Sequence, residues 1–375
     1  MKGRSKEGSP PCGWHAVQGS RFKAEKERPF RKVDIMKAVV FRKDRGLVYE
    51  EVPDYQVVSD EVLVKVANTG FCGSDHSLVA GGLLADGSII GHEISGMVVE
   101  KGAKAGGPSI GTRVCIRPTY CGECANCLGG KPHLCRVHRR TAGIGDLPGG
   151  FAEYLKVYPQ MLIPIPQGVD SRNAALAETF ASALHAINCT GDKTGSTLVM
   201  GGGPIGLCAV RILKILGYGP IVLFEPVAAK REIAILYGAD HTFDPREKDV
   251  DQQVLALVPG GFHKTFECSG VKANIDRASQ LAADGGQVCI VSMIFTPLTI
   301  TAPFLLNLKE VRLMASYSNT HAENIQCLNW MAEGKLDARP LISDDEPLER
   351  LPVIYRERID TGLAVKVLLR IGEEF

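Results

Sequence analysis

The chain has no apolar run approaching the ~18 residues that a membrane-spanning helix needs, so no helical membrane protein is expected. It also lacks an excess of either charge. Against 43 Lys and Arg stand 42 Asp and Glu, a net charge of +1, which leaves no electrostatic basis for binding nucleic acid or an anionic membrane. The N-terminal stretch has none of the apolar character of a secretory signal. A reducing, cytoplasmic setting is therefore expected for the twelve cysteines, with thiols buried or held by metal rather than paired as disulfides. What is present is ordinary for a globular protein: 45% hydrophobic and 23% charged residues, and a mean hydropathy of +0.02. At 375 residues the chain is long enough for two domains.

Residues 1–35 read differently from the rest. Lys2, Arg4, Lys6, Arg21, Lys23, Lys26, Arg28, Arg31 and Lys32 are mixed with Gly, Pro and Ser without hydrophobic period. This predicts a disordered basic extension, and the acids Glu7, Glu25, Glu27 and Asp34 do not suit a transit peptide. From Met36 to about residue 165 come short strands separated by turns. Met36–Phe41, Glu61–Val66, Gly96–Glu100 and Gly111–Ile116 are the clearest, and their spacing predicts a partly open β-barrel.

Inside this region lie two groups of metal-ligand residues. Cys121, Cys124 and Cys127, followed by Cys135, have the spacing of a closed Cys₄ zinc site, which with four protein ligands would be structural. Gly70-Phe71-Cys72-Gly73-Ser74-Asp75-His76 and Gly91-His92-Glu93 bring a thiolate, an imidazole and a carboxylate close in sequence. Three such ligands and one open position are the pattern of a catalytic zinc.

Near residue 180 the pattern changes. Ala174–Ile187 predicts a helix containing Glu178. Ser196–Met200 predicts a buried strand, followed by Gly201-Gly202-Gly203-Pro204-Ile205-Gly206, a helix ending at Gly217, and the strand Pro220–Phe224 with Glu225 at its end. Strand, glycines, helix, strand and terminal acid in this order are the dinucleotide fingerprint. Gly201 makes the turn, Gly203 admits the pyrophosphate, and Gly206 lets helix and strand pack, with the phosphates on the helix N-terminus. Glu225 would accept from the ribose hydroxyls and repel a 2′-phosphate, so NAD is expected over NADP, although Lys230 and Arg231 lie farther along. Further strands at His241–Phe243, Lys264–Cys268, Gln287–Val291 and Val311–Ala315 complete a doubly wound parallel sheet of about six strands. A helix at Ala322–Glu333 and a closing strand at Ala364–Leu368 predict a return to the first domain.

Together these motifs, with Gly150-Phe-Ala-Glu-Tyr154, resemble the zinc-dependent medium-chain alcohol dehydrogenases, in particular the polyol and secondary-alcohol branch with sorbitol, butanediol and threonine dehydrogenases. The resemblance covers residues 36–375. It implies an α/β chain: a GroES-like β-barrel catalytic domain plus a doubly wound parallel-sheet Rossmann domain. The expected divisions are 36–185, 186–320 and a C-terminal return at 321–375. It implies two zinc ions per chain, NAD, a small alcohol or ketone substrate in the interdomain cleft, and a homodimer or homotetramer. Cys72 and His92 would hold the catalytic zinc, with Glu93 or Glu178 as the third ligand and Asp75 orienting His92. Ser74 would take the substrate proton, and His76 is the candidate for passing it outward. Relatives carry that histidine one position later; here position 77 is Ser. Glu178 is followed by Thr179 where the polyol branch has Pro. For the cofactor, the resemblance adds Pro204, Ile205, Lys230, Ser269 and Lys366, the last reaching the pyrophosphate. Phe71, Leu83 and Tyr317 are candidate pocket walls. The expected reaction is reversible oxidation of a secondary alcohol to a ketone, by a Lewis-acid metal and hydride transfer to the nicotinamide. The same residues would also serve an aldehyde, amino-alcohol or cyclitol dehydrogenase, or a non-catalytic zinc- and nucleotide-binding protein.

Overall fold

Two β-sheets organise the protein, each formed where its hydrophobic pattern predicts. The computed structural model describes residues 35–191 and 195–375; residues 1–34 of the expected extension lie outside the described residues. The strands up to residue 190 are β1 (Ile35–Arg42), β2 (Gly46–Pro53), β3 (Val62–Phe71), β4 (Glu93–Lys101), β5 (Arg113–Ile116), β6 (Tyr154–Val157) and β7 (Leu162–Pro164). Those beyond it are β8 (Thr197–Met200), β9 (Ile221–Phe224), β10 (His241–Phe243), β11 (Phe262–Glu267), β12 (Ala282–Ile290), β13 (Arg312–Ala315), β14 (Ile342–Pro347) and β15 (Lys366–Arg370).

β1 and β2 form an antiparallel hairpin. A seven-stranded sheet runs β14-β15-β3-β4-β5-β7, with β6 added on β3. Its centre is β3, bonded to β4, β6 and β15. The alternation of apolar and polar residues over Glu61–Val66 is that of a half-buried strand, yet Val62, Leu63, Val64, Val66 and Ala67 are all buried, and only Lys65 is partly exposed. A strand covered on both faces has no solvent side for polar residues to occupy.

The second sheet has the order β10-β9-β8-β11-β12-β13, every pair parallel. That is the 3-2-1-4-5-6 arrangement of a doubly wound dinucleotide fold. Thr197–Met200 and Ile221–Phe224 are buried throughout, as apolar runs in a parallel sheet should be. The helix Pro204–Ile215 starts on a proline, whose missing N–H costs nothing at a helix start.

The predicted helix 174–187 is in fact two, Ser171–Ala175 and Ala177–Cys189, broken at Leu176. Asp170 caps the first by accepting from the Asn173 N–H at 2.7 Å. The break re-aims the second helix so that Glu178 and Ser182 face a cavity rather than the core. Its buried side joins a hydrophobic cluster that includes Cys115 and Ile163 from the first sheet, Val199 and Phe266 from the second, Leu207 of the helix Pro204–Ile215, and Leu368 of β15. Among the described residues no helix is long and apolar enough to cross a membrane.

Candidate active site and metal centres

Cys121, Cys124, Cys127 and Cys135 converge through a loop containing the short helix Ala125–Leu128. Sγ–Sγ distances are 3.5 Å for Cys124–Cys127 and Cys135–Cys121, and 3.8 Å for Cys121–Cys127 and Cys124–Cys135. Disulfides would bring sulfurs to about 2.05 Å. A tetrahedron with bonds of about 2.3 Å to zinc has edges of about 3.8 Å, so the four thiols fit a closed zinc site. Backbone N–H groups of Cys121 and His138 lower the pKa of Cys135, favouring the thiolate that such a site requires.

The second group is assembled from three sequence segments. Cys72 follows the end of β3 and precedes the helix Gly73–Ala80; Asp75 in that helix accepts from the Cys72 N–H at 3.0 Å. His92 immediately precedes β4, after Gly91, whose φ of 96° and contact with the Phe151 ring leave no room for a side chain. One ligand atom each of Cys72, His92 and Glu93 lies within 4.8 Å of the others. His92 Nδ1 meets Asp75 Oδ1 at 3.2 Å, and its Nε2 lies 3.4 Å from Ser74 Oγ. Burial opposes charge on His92, but Asp75 and Cys72 outweigh it and push its pKa well above the ordinary value. The site favours positive charge, which a divalent cation would supply, and its soft and borderline donors fit zinc.

Glu93 is bound on its other side. Thr179 Oγ1 donates to it at 2.8 Å, and Lys366 Nζ donates to both oxygens at 2.7 and 2.9 Å. Burial raises the Glu93 pKa, but Lys366 outweighs that and lowers it. Two expectations are corrected here. Lys366 is buried beside β3, because β15 pairs antiparallel with β3, and its ammonium donates to the Phe71 carbonyl at 3.3 Å and to both Glu93 oxygens, which leaves no donor for a pyrophosphate. Its charge is spent on Glu93. His76 does not line the cavity either: its Nε2 bonds Asp360 Oδ1 at 3.1 Å and its ring lies against Tyr355. On a helix, position 76 points away from the face that carries Ser74. Glu178 stands outside the Cys72–His92–Glu93 cluster but lines the same cavity. Asn319 donates to its Oε1 at 2.7 Å, and burial raises its pKa.

The nucleotide loop has the geometry its glycines require. Gly201 has a φ of 102°, and a Cβ on Gly206 would lie 1.9 Å from the Gly201 carbonyl oxygen. Gly203, the residue before the helix, faces open space. Glu225 accepts from the N–H groups of Gly202 at 2.7 Å and Val227 at 2.9 Å, which fixes it beside that turn. Ser269 packs against Gly201 from the end of β11 and donates to Glu267. Lys230 lies on the helix Ala228–Tyr237 beyond Glu225.

A cavity of about 330 Å³ joins these parts. Cys72, Ser74, His92 and Glu178 line one side, and Ile205, Ile290, Val291 and Ser292 come from the parallel-sheet side. Tyr317 is on its wall as expected; Phe71 and Leu83 are not. Phe71 stacks on Phe151 in the core at 5.7 Å, and Leu83 is exposed beside a different depression. Sequence reasoning missed Arg117 and Arg139, which line the cavity, and Asn319, which holds Glu178. Arg117 lies four residues before Cys121 and Arg139 four after Cys135, but no local pattern shows which way either points.

Residues 58–167 match the alcohol dehydrogenase GroES-like domain, and residues 204–333 match the zinc-binding dehydrogenase domain. Sorbitol dehydrogenase of Bacillus subtilis (strain 168) is 30% identical over 325 residues, 84% of this chain and 91% of that protein. The chain belongs to the zinc-dependent medium-chain alcohol dehydrogenases. A second relative of this dehydrogenase, the sorbitol dehydrogenase of Halalkalibacterium halodurans, is 32% identical over 85% of this chain and 94% of its own. Among solved structures, a zinc-binding dehydrogenase of Sinorhizobium meliloti 1021 bound to NADP superposes with a TM-score of 0.83 at 31% identity, covering 90% of this chain and 99% of that one. The 2R,3R-butanediol dehydrogenase of Bacillus subtilis gives a TM-score of 0.80 at 26% identity, covering 89% and 99%. The dehydrogenase is thus a nicotinamide-dependent alcohol oxidoreductase with a GroES-like and a Rossmann-type half.

Proposed function

We propose that this dehydrogenase oxidises a secondary alcohol to a ketone, with NAD as hydride acceptor and two zinc ions per chain. The observation that carries the reading is the single cavity walled by Cys72, Ser74, His92 and Glu178 on one side and by the nucleotide-fold residues Ile205, Val291 and Ser292 on the other. Cys72 and His92 would hold the catalytic zinc with Glu93 or Glu178, and the four-cysteine loop would hold the second. When bound there, zinc would supply a Lewis acid that makes the alcohol hydroxyl more acidic, and the nicotinamide would supply the hydride acceptor.

The chain's own part is orientation, proton removal and exclusion of water. Asp75 fixes the His92 ring through Nδ1, leaving Nε2 directed to the cluster. Ser74 Oγ stands on the cavity wall beside His92 and receives the substrate proton. Ile116, Ile205, Ile290 and Val291 keep the reacting carbon dry. NAD is preferred because the Glu225 carboxylate sits at the loop, where a 2′-phosphate would meet a negative charge.

The reading includes a catalytic portion of residues 36–185 and 321–375, a nucleotide-binding portion of 186–320, and a cytoplasmic location. It also includes a homodimer or homotetramer. Supporting the assembly, edge strand β13 and the helix before it leave Leu313, Phe304 and Leu308 exposed at 41%, 64% and 74%. Sedimentation measures that state.

The test is a panel of secondary alcohols and polyols with zinc-loaded enzyme, followed by NADH or NADPH absorbance, beside a metal assay. Turnover with NAD and two zinc ions per chain is expected, with Cys72→Ser reduced to the reagent blank and one zinc lost. Full activity in Cys72→Ser would sink the mechanism.

A further inference from the structure

Arg117 and Arg139 both line the catalytic cavity, and among the described residues neither forms an ion pair. Of the other charged groups here, Lys366 and His92 have opposite charges beside them. Lys366 is neutralised by Glu93, His92 faces Asp75, and Glu178 is held by Asn319. The arginines have only neutral partners. Arg139 donates through Nη1 to Tyr317 Oη at 2.8 Å and through Nη2 to Ser318 Oγ at 3.3 Å, with its guanidinium 5.2 Å from the Tyr317 ring centroid. Arg117 donates to the carbonyls of Pro118 at 2.6 Å and Gln160 at 3.1 Å, and lies 5.9 Å from the Tyr120 ring centroid. The Nε of each is shielded from solvent and donates to nothing among the described residues. Burial lowers the Arg117 pKa, the direction expected of a cation without an anion.

For Arg117 such an arrangement is costly unless an anion completes it, because a desolvated cation is stabilised chiefly by an opposite charge. The wall that holds Arg139 is itself strained: Ser318 adopts a φ of 62°, unusual for a residue with a side chain, and carries the hydroxyl that meets the guanidinium. A guanidinium is also the side chain suited to a planar or tetrahedral oxyanion, which it meets with paired N–H groups.

We infer that the substrate of this dehydrogenase carries an oxyanion, a carboxylate or a phosphate, bound by Arg139 with Arg117 in support while its hydroxyl lies at Cys72, Ser74 and His92. The inference rests on the dehydrogenase reading and deepens it: the substrate class is an acidic secondary alcohol rather than a neutral polyol. Arg139 is then a specificity residue, and Tyr317 and Ser318 hold its fork in place.

The experiment has two arms. In the first, zinc-loaded enzyme saturated with NADH, so that the nucleotide's own phosphate sites are filled, is titrated calorimetrically with propionate, propionamide and inorganic phosphate. An anion is expected to bind about 10- to 100-fold more tightly than the amide, as for a hydrogen-bonded charge pair. Arg139→Met should abolish that preference and Arg139→Lys keep part of it, with zinc content and NADH binding confirming the fold of each variant. The anion bound more tightly identifies the group. Equal binding of anions and amide, or an anion preference that survives Arg139→Met, overturns the inference; the metal then holds the ligand unaided and Arg139 only ties its loop to Tyr317. In the second arm, hydroxy acids and phosphorylated alcohols are compared with their neutral parents as substrates. Arg139→Met should lower kcat/KM for the anionic member of each pair about 10- to 100-fold more than for the neutral one. Equal losses, or a wild-type preference for the neutral parent, also overturn it. Absence of turnover with every alcohol defeats the dehydrogenase reading instead, and the titration still decides the anion site.

Discussion

Lys366 and Glu93 form a bidentate ion pair whose side chains are 1% and 0% exposed. Glu93 immediately follows His92, so the pair fixes the start of β4 next to the candidate metal cluster. Breaking one side of such a pair leaves an unpaired buried charge, which costs about 3–5 kcal/mol. Lys366→Met is expected to lower the unfolding free energy by that amount in urea denaturation. Adding Glu93→Gln should recover much of the loss, because the buried charge is then gone. A Lys366→Met variant as stable as the parent would mean that Glu93 has another partner.

Asp75 touches both His92 and the backbone of Cys72. Asp75→Asn keeps the shape but weakens the hold on the His92 ring. Zinc affinity in the catalytic site, or activity, should fall about 10- to 100-fold. Competition with a chromogenic chelator reads the first, and the four-cysteine zinc serves as the internal reference.

Gly206→Ala places a methyl group 1.9 Å from the Gly201 carbonyl oxygen. The helix must then move away from β8, at a cost of about 1–3 kcal/mol. NADH binding followed by fluorescence should weaken by about tenfold or more, while both zinc sites remain filled.

His185 and Glu323 supply a pH-dependent contribution to stability away from the cavity's metal cluster. They meet at 2.9 Å and are 6% and 7% exposed. Burial opposes protonation of His185, yet hydrogen bonds to Cys189 and Glu323 outweigh it and raise its pKa to about 9. A raised histidine stabilises fully below its unfolded value near 6.5 and loses that contribution as pH rises through about 9. Unfolding free energy should therefore fall by on the order of 3 kcal/mol between pH 6.5 and 9.5. His185→Gln should flatten that interval; an unchanged slope would assign it elsewhere.

Local patterns made much of this protein legible. The thiol spacing of 121–135, the glycines of 201–206 and the apolar runs of β8, β9 and β11 act over a few residues, and each specifies its own short-range geometry. Cys72, Ser74 and His92 were legible because their neighbours limit where the backbone can turn. Segment boundaries were less so: the helix break at Leu176 and the two-sided burial of β3 depend on partners distant in sequence.

By itself the sequence determined the family, the two-sheet architecture and the two groups of metal-ligand residues, because spacing and periodicity are local properties. Only the tertiary structure decided what the charged side chains face. The antiparallel pairing of β15 with β3 commits Lys366 to Glu93, helical geometry and Asp360 draw His76 away from the cavity, and the folded loops bring Arg117 and Arg139 to its wall. A charged residue has no periodic signature that reveals its partner; long-range packing supplies one, and with it the reason to expect an acidic substrate.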